Sequence, residues 1–386
     1  SSNTSKHYNP MQPDNAVQGT SIWNGSSTYT DFIIPKETHI YNDCLLKFTL
    51  KCTSDAASGN GNVITPKPAY QMIDQIVLMF EGTGQDSVIL RGEDEQVYHL
   101  ASTNDEEYRR CAHSYGMDPT DDTRAAVRTF SAATGNGQVF TREFTVRVNG
   151  PLSSSRLFAA GCVDDLRVRV HWATSCTTAV TGTPTIELQK TQLLIEEHQL
   201  AQSDFDRLLA QYRSDSGVSH RWAEMRVSTH PFTVTAQQSI SQVMNSHSGY
   251  TAGLLVTCRS QATTGTGPTT FLPLDSIQLF DERNVKLSPV LDDALLRDTI
   301  SRAGDWPSDA ARTTPFYYIP FCMSLASAFA HGTASGGLKL SSRDRVDVVF
   351  SSAAAAVNSG AVQLDIISIN YAFMDVRRGK IRMHKA

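Results

Sequence analysis

The feature that most constrains the fold of this chain is an internal repeat. The segment Ile73–Phe80 (IDQIVLMF) is similar to Leu274–Phe280 (LDSIQLF), which lies 201 positions later. Before these segments, Cys52 is followed by a Gly-x-Gly motif, and Cys258, 206 positions later, is followed by another. Blocks that match in one order along a chain indicate two copies of one structural unit. The chain is therefore predicted to be a tandem duplication.

Further blocks match in the same order, at offsets that shrink from 188 to about 176 positions. They are Asp105 and Arg109 with Asp293 and Arg297, 116–124 with 304–312, Leu166–Trp172 with 346–350, and 186–195 with 362–371. The changing offset places the insertions between the blocks, in loops. Each copy is predicted to contain strands, a Gly-x-Gly loop, a strand, a helix, a proline turn and more strands.

Short segments in which apolar and polar residues alternate are typical of β-strands. In Leu166–Trp172, the apolar residues alternate with Arg, Arg and His, which predicts one buried and one exposed strand face. Helical patterns are confined to 105–110 and 203–212, where Ser203 is a candidate N-cap. The predicted class is all-β with short helices. Five side chains are predicted to point into the cores: Val146, Val168, Val170, Val348 and Phe350.

The repeat and the local composition divide the chain into five parts. They are a polar N-terminal arm over 1–30, a first sandwich over 31–200, a helical linker over 201–226, a second sandwich over 227–376, and a basic C-terminal tail over 377–386. The arm has almost no apolar periodicity, so we expect it to lack a core of its own.

Length and composition exclude several classes of protein. At 42.3 kDa, the chain is too long for one ordinary domain. It is 40% hydrophobic and 19% charged, and no apolar run approaches the roughly 18–20 residues that cross a bilayer. Its first residues do not have the pattern of a secretory signal, and a net charge of −5 does not make the whole surface attractive to nucleic acid. Disordered, membrane-spanning and coiled-coil proteins are excluded.

Patterns typical of metal, redox or nucleophilic sites are absent from the sequence. The seven cysteines form no CxxC pair, and the eleven histidines form no HxH or HExxH motif. Cys111 and His113 are two residues apart in a predicted helix, so they do not face each other. No Gly-x-Ser-x-Gly elbow occurs, and the Gly-x-Gly motifs lack the context of a phosphate loop. The cysteines are expected to be buried free thiols, in a protein that assembles in a reducing compartment.

Adjacent carboxylates give the main alternative, a two-domain β-sandwich that binds or hydrolyses glycans. They are Asp164 with Asp165, Glu196 with Glu197, Asp292 with Asp293, and the run Glu93, Asp94 and Glu95. A glycosidase needs two carboxyl groups that converge across a cleft, whereas neighbours on one strand point to opposite faces. We therefore predict that these residues lie in solvated loops or at helix N-termini. The spacing of a calcium loop is missing from the acidic run.

Two consecutive eight-stranded β-sandwiches, with a helix between the middle strands, resemble the double-jelly-roll major capsid proteins of icosahedral DNA viruses. This lineage includes tailless membrane-containing phages and adenovirus hexon. The resemblance covers about residues 31–376, and it rests on the duplication and the block order. It implies two tandem jelly rolls and a structural protein with no cofactor, no enzymatic activity and no small-molecule substrate.

The same resemblance implies partners and a location. Three chains with two rolls each would form a homotrimer, a pseudo-hexameric capsomer that tiles an icosahedral shell. The expected partners are neighbouring capsomers, penton proteins and minor capsid proteins, and the expected location is the capsid shell of a virion.

A cluster of positive charge ends the chain. Its cations are Arg377, Arg378, Lys380, Arg382 and Lys385, and no acidic residue lies among them. One interpretation is a solvated terminus. The other is a contact with an anionic layer beneath a shell, either genome or lipid headgroups. Because the tail has no aromatic residue, it is not expected to read a nucleic-acid sequence.

Overall fold

A computed structural model describes most of the chain. The described residues are 5–13, 28–36, 40–55, 63–80, 86–92, 94–95, 98–99, 130–131, 138–154, 156–163, 165–260, 271–292, 294–295, 316–329, 335–356 and 360–384. The predicted helix over 105–110, the matched turns 116–124 and 304–312, both Gly-x-Gly loops, Cys111 and Lys385 lie outside these ranges. Within them, no helix has the length and apolar character that crossing a membrane requires.

Eight strands form the first sandwich. They are β1 (Ser5–Met11), β2 (Tyr29–Ile34), β3 (Ile40–Thr53), β4 (Ile73–Phe80), β5 (Asp86–Arg91), β6 (Val139–Arg147), β7 (Leu166–Trp172) and β8 (Thr185–Gln199). One sheet has the order β1-β8-β3-β6 and the other β2-β7-β4-β5, with every neighbouring pair antiparallel. Short additional strands are Val63–Pro66, Phe130–Ser131, Phe158–Ala159 and Thr177–Val180, and 3₁₀ turns are Ala69–Met72, Pro151–Ser153 and Ala160–Cys162.

A helix, α1 (Gln202–Arg213), leads to the second sandwich. Its strands are β9 (Val218–Thr233), β10 (Gln238–Val243), β11 (Gly249–Ser260), β12 (Leu274–Phe280), β13 (Leu291–Asp292), β14 (Phe316–Pro320), β15 (Arg345–Phe350) and β16 (Ala361–Arg377). One sheet runs β9-β16-β11-β14 and the other β10-β15-β12-β13. Short strands at Phe271–Leu272 and Leu338–Leu340, two short helices at Leu325–Ala328 and Ser352–Ala356, and a last strand, β17 (Lys380–His384), complete the described elements.

Both sandwiches have one topology. Counted within each copy, the strand order is first-eighth-third-sixth in one sheet and second-seventh-fourth-fifth in the other. This order wraps four antiparallel hairpins around a two-sheet core, which is the jelly roll. The predicted all-β class and the two tandem eight-stranded rolls are therefore confirmed.

The duplication extends to a defect in strand pairing. Trp172 of β7 pairs with Ile73 of β4, and Phe350 of β15 pairs with Leu274 of β12. In each copy, one residue of the fourth strand is skipped next to this pair, as in a β-bulge. The skipped residues, 201 positions apart, are Asp74 and Asp275. The matched blocks therefore occupy the same strand, in the same register, of the two rolls.

Alternating side chains of these strands fill the cores. All five side chains that were predicted to point inward are 0% exposed: Val146, Val168, Val170, Val348 and Phe350. In the first roll, the rings of Phe48 and Trp172 meet edge to face with centroids 5.1 Å apart. Burial of each inward valine stabilises its roll by roughly 1.5–3 kcal/mol.

The rolls share one core cluster because the β9-β16-β11 sheet is buried on both faces. Leu364 and Ile366 of β16 face the core of the second roll. Ile367 and Ile369, further along the same strand, belong to the cluster that contains the core of the first roll. The second roll therefore packs the outer face of its larger sheet against the first roll.

Three segments outside the predicted sandwiches belong to the sheets. Ser5–Met11, expected in a coreless arm, pairs along the edge of β8, because main-chain hydrogen bonds at a sheet edge require no apolar alternation. Strand β9 begins at Val218, inside the predicted linker, and has the same place in its sheet as β1. The expected C-terminal tail forms β17, paired with the end of β16.

Six described cysteines are free thiols, and five of them are buried, as expected. They are Cys44, Cys52, Cys162, Cys176 and Cys258, with Cys322 half-buried. Burial raises the pKa of Cys52 to about 11 and those of Cys176 and Cys258 to about 12. These thiols remain protonated at neutral pH and act as apolar core groups.

The core assignment predicts different effects for the same substitution at two adjacent residues of β15. Val348→Asp places an unpaired carboxylate in the second core, so we expect the chain to be insoluble or unfolded. Val349→Asp, on the outer face of the same strand, should leave a folded protein with little change in melting temperature. Circular dichroism and thermal melts of both variants measure this difference, and a folded Val348→Asp protein would contradict the assignment.

Candidate functional surfaces

The predicted basic contact residues lie in a β-hairpin rather than in a free tail. Arg377 ends β16, and Arg378 and Gly379 form the turn with φ angles of 51° and 72°. Lys380 and Arg382 lie on β17, opposite Arg377 and Asp375. The turn is held to the end of α1, because the Arg378 N–H donates to the Ser214 carbonyl over 3.3 Å.

Two of these cations have acidic partners. Arg377 Nη2 lies 3.3 Å from Asp375 Oδ2, and Arg378 Nε pairs with Asp215 Oδ1. The hydrogen bond from Arg378 lowers the pKa of Asp215 and raises that of Arg378. Both pairs are solvent-exposed, so they neutralise charge locally and contribute little to stability.

The other two described cations face solvent together. Lys380, Arg382 and His384 are exposed on one side of β17, whereas Ile381, on the opposite side, is 8% exposed and joins the shared core. Within the described part of the chain, Lys380 and Arg382 have no acidic partner. The hairpin therefore presents a small, anchored basic surface.

A second surface feature is a cleft of about 350 Å³ where the two rolls meet. One wall comes from the first roll and the other from the larger sheet of the second. The first wall includes Ile73, Asp74, Arg91 and Asp94, and the second includes Thr257, Arg259, Asp365 and Ile367. No local motif could indicate this cleft, because its residues come from six distant segments.

The carboxylate at the centre of the second wall is fully paired. Asp365, which is 3% exposed, accepts hydrogen bonds from Arg259 Nε at 2.6 Å, Thr229 Oγ1 at 2.8 Å and Gln363 Nε2 at 2.9 Å. A buried carboxylate that accepts three hydrogen bonds is held in a fixed position by its neighbours.

The prediction that the paired carboxylates lie in solvated loops or at helix N-termini is wrong for one of the four groups. Glu196 and Glu197 lie in β8, between its neighbours β1 and β3, and are 3% and 6% exposed. Asp94 and Glu95 are helical residues that directly follow β5, as predicted, but they are buried, and burial raises the pKa of Glu95 to about 8. Hydrogen bonds offset part of the desolvation cost of this burial, because Asn42 and His198 donate to Glu196, and Asn149 donates to Glu95.

The remaining described members of these pairs are exposed. Asp165 forms an ion pair of 2.7 Å with Lys36, which lowers the pKa of the Asp165 carboxyl. Asp292 caps the following turn by accepting from the Leu295 N–H at 2.7 Å. No group of three or more metal-ligating side chains occurs among the residues that the structure describes.

A buried histidine in the turn between β10 and β11 links two strands of the second roll. His247 is 0% exposed, with Nε2 2.8 Å from Ser228 Oγ of β9 and Nδ1 2.8 Å from Ser368 Oγ of β16. Asn370 Nδ2 donates to Ser368 Oγ over 3.0 Å and continues the network. Burial, with the nearby charges of His230 and Arg226, lowers the pKa of His247 to about 4.

Comparison with solved structures finds proteins that have this architecture. A quasi-atomic model of the PBCV-1 virus capsid covers 100% of this chain and 98% of its own, with a TM-score of 0.64 and 12% identity. The chain has the double-jelly-roll fold. The Faustovirus major capsid protein is similar over 97% of this chain and 91% of its own, with a TM-score of 0.64 and 10% identity. For the mavirus major capsid protein, the shares are 98% and 90%, the TM-score is 0.56 and the identity is 10%.

Comparison of structures finds proteins similar to this chain, whereas comparison of sequences finds none. No family model and no curated protein matches the chain. The resemblance inferred from the repeat is confirmed at the level of the fold.

The network around His247 predicts a loss of stability in acid. The imidazole has a pKa of about 4 in the folded chain and about 6.5 when unfolded, so the unfolded chain binds the proton first. The free energy of unfolding should be constant above about pH 6.5 and fall by about 3 kcal/mol towards pH 4 through this group.

Urea unfolding of the wild type and His247→Gln between pH 4 and 7.5 measures this contribution. We expect the variant to be less stable at pH 7 and to lose less stability on acidification. Between pH 4 and 6.5, its unfolding should take up about one proton fewer than that of the wild type. His99, also buried with a pKa of about 4, is present in both proteins as an internal control. Equal pH slopes would contradict the role of His247.

Proposed function

We propose that this chain is the major capsid protein of an icosahedral virus, a structural protein without catalytic activity. The observation that carries the proposal is the match of both rolls, over the whole chain, to proteins that are capsid components. A capsid protein needs large, rigid, self-complementary faces, and the two joined rolls provide them.

The duplication suits a tile of near-hexagonal shape. A ring of six similar units can be made from three chains when each chain supplies two rolls, and closed three-fold symmetry then defines the contacts. We infer a homotrimeric capsomer whose neighbours are other capsomers, with penton and minor capsid proteins at special positions of the shell. Its five buried cysteine thiols are compatible with assembly in a reducing compartment.

The basic hairpin is proposed to contact an anionic layer inside the shell, either genome or lipid headgroups. Lys380 and Arg382 point to solvent from an anchored strand, so their charges are held in place without a folding cost on binding. Each exposed cation near an anionic membrane contributes about 1 kcal/mol.

A glycan-binding or glycan-hydrolysing β-sandwich is the competing function. The observation that supports this competing function is the polar cleft between the rolls, which is lined by Asp74, Asp94 and Asp365. The hydrogen-bond saturation of Asp365 disfavours a role in acid–base chemistry.

Size-exclusion chromatography with light scattering separates the two functions. A capsomer predicts a particle of about three times the 42.3 kDa chain mass, and larger assemblies at high concentration. A stable monomer whose melting temperature rises with an added oligosaccharide would favour the glycan-binding alternative and contradict the proposal.

The hairpin predicts charge-dependent binding to anionic surfaces. Replacing Lys380 and Arg382 with Gln should leave the oligomer intact and weaken co-sedimentation with phosphatidylserine vesicles, or with duplex DNA, by about 30-fold at low salt. The loss should shrink as salt screens the charges.

A matched variant, Lys286→Gln with Arg343→Gln, removes two exposed cations elsewhere in the second roll. It should bind like the wild type. Equal loss in both double variants would show that net charge alone matters and that the hairpin is a passive terminus.

A further inference from the structure

The two large sheets differ along the edge that begins with β1 in the first roll and with β9 in the second. Strand β9 pairs with β16 over residues 361–376, which is almost the whole of β16. Strand β1 pairs with β8 only over residues 193–199. In the part of the chain that the structure describes, no strand pairs with residues 185–192 of β8 on this side. We call residues 185–192 the bare edge.

A bare edge of this kind is a site where another chain can add a strand. It presents backbone N–H and C=O groups with which an extended segment of a second molecule can pair. Its inward side is also apolar, because Leu188 is 0% exposed and Ile186 packs against the same core. Alternating residues with apolar side chains favour strand pairing. A soluble protein therefore needs a feature that blocks such an edge.

A β-bulge interrupts the bare edge. Thr49 and Lys47 of β3 pair with Gln189 and Gln192 of β8, so three steps along β8 match two steps along β3. The extra residue of β8 lies between these two pairs. There, Lys190 has a φ angle of 49°, a left-handed conformation that residues with a side chain rarely adopt, and it is exposed.

The second roll has no such extra residue. Thr49 and Lys47 correspond to Leu255 and Gly253, which lie 206 positions later. Leu255 and Gly253 pair with residues of β16 that are only two positions apart. No residue of β16 has a positive φ angle. The bulge is therefore specific to the strand that lacks a full-length neighbour, and it is not part of the repeated fold.

Both properties of Lys190 oppose the addition of a strand. The bulge bends β8 and disrupts the regular spacing of backbone groups with which a partner strand would pair. The lysine side chain carries a charge that would have to leave water if a neighbouring strand covered it. Bulges and lysines are the features with which natural proteins protect sheet edges.

The two strands that form the rest of this edge each contain a proline. Pro10 lies in β1 opposite Leu194, and Pro231 lies in β9 opposite Gln363. Both prolines are exposed. A proline has no N–H group, so it is accommodated in a sheet where its nitrogen faces an open edge. A strand that approached β1 or β9 would lack a hydrogen-bond donor at this position.

We propose that Pro10, Lys190 and Pro231 prevent other chains from adding strands to this edge of the two large sheets. We call them the edge-blocking residues. Three strand segments form the edge, and each contains one residue with which a partner strand cannot pair. The edge then stays unpaired while the chain associates through other surfaces. This inference goes beyond the proposed capsomer and does not depend on it.

Removal of all three features tests the proposal. The triple variant combines Pro10→Thr and Pro231→Thr with deletion of Lys190, which gives β8 the regular spacing of β16. We expect it to fold and then to associate through its strands. Thioflavin T fluorescence and the pelleted fraction should each exceed the wild-type values by about tenfold or more at equal concentration. Circular dichroism before incubation verifies that each protein is folded.

Two further variants accompany the triple variant. Lys190→Gly keeps the left-handed backbone, which glycine adopts freely, and removes only the charge. It should raise the pelleted fraction by about threefold, less than the triple variant does, because the bulge remains. The matched control is Pro289→Thr, which replaces an exposed proline in the loop between β12 and β13. It should stay as soluble as the wild type.

Hydrogen exchange locates the new strand pairing. In the associated triple variant, amides of residues 185–192 should exchange about tenfold or more slowly than in its soluble form. A folded triple variant as soluble as the wild type would overturn the proposal, and so would protection gained only outside β1, β8 and β9. Equal association of Pro289→Thr would overturn it as well. A wild type that stays monomeric would instead contradict the capsomer and leave the role of the edge-blocking residues intact.

Discussion

The structure depends on the burial of one strand, β16, on both faces. Every residue from 364 to 372 is buried, because the core of the second roll covers one side and the first roll covers the other. Strands of antiparallel sheets commonly have one wet face. Here both faces of β16 are buried, so the two rolls share a core cluster in addition to the connection through α1.

This double burial brings three polar side chains of β16 into the interior, and each of the three has a partner. Ser368 and Asn370 join the network of His247, and Asp365 is paired with Arg259. A buried polar group without a partner would cost about 1–3 kcal/mol. These pairs define one relative position of the strands, because a shift of one residue would leave every one of them unpaired.

Much of the fold could be predicted from the sequence because the duplication is preserved at the level of register. The match between Ile73–Phe80 and Leu274–Phe280 predicted two equivalent strands, and these strands have the same neighbours and the same bulge. The alternation in Leu166–Trp172 led to an inward face that is buried throughout. Local patterns suffice here because each strand buries one face within its own roll.

Other features depend on contacts between distant segments and have no local signal. Ser5–Met11 is polar, yet it completes a sheet through main-chain pairing with β8. Glu196 and Glu197 lie in a strand that is covered on both edges, where their burial depends on residues 42 and 198. The cleft and the basic hairpin likewise follow from the packing of one roll against the other. The fold of each roll could be predicted from the sequence, whereas the packing of one roll against the other could not.

The central claim is that two rolls joined face to face make one third of a six-roll tile. An electron cryo-microscopy map of the purified oligomer tests it most directly. The account predicts a ring of six sandwiches from three chains, with the β9-β16-β11 sheet of each chain buried against its own first roll. A map with two separately oriented rolls per chain, or with any ring other than six rolls, would contradict it.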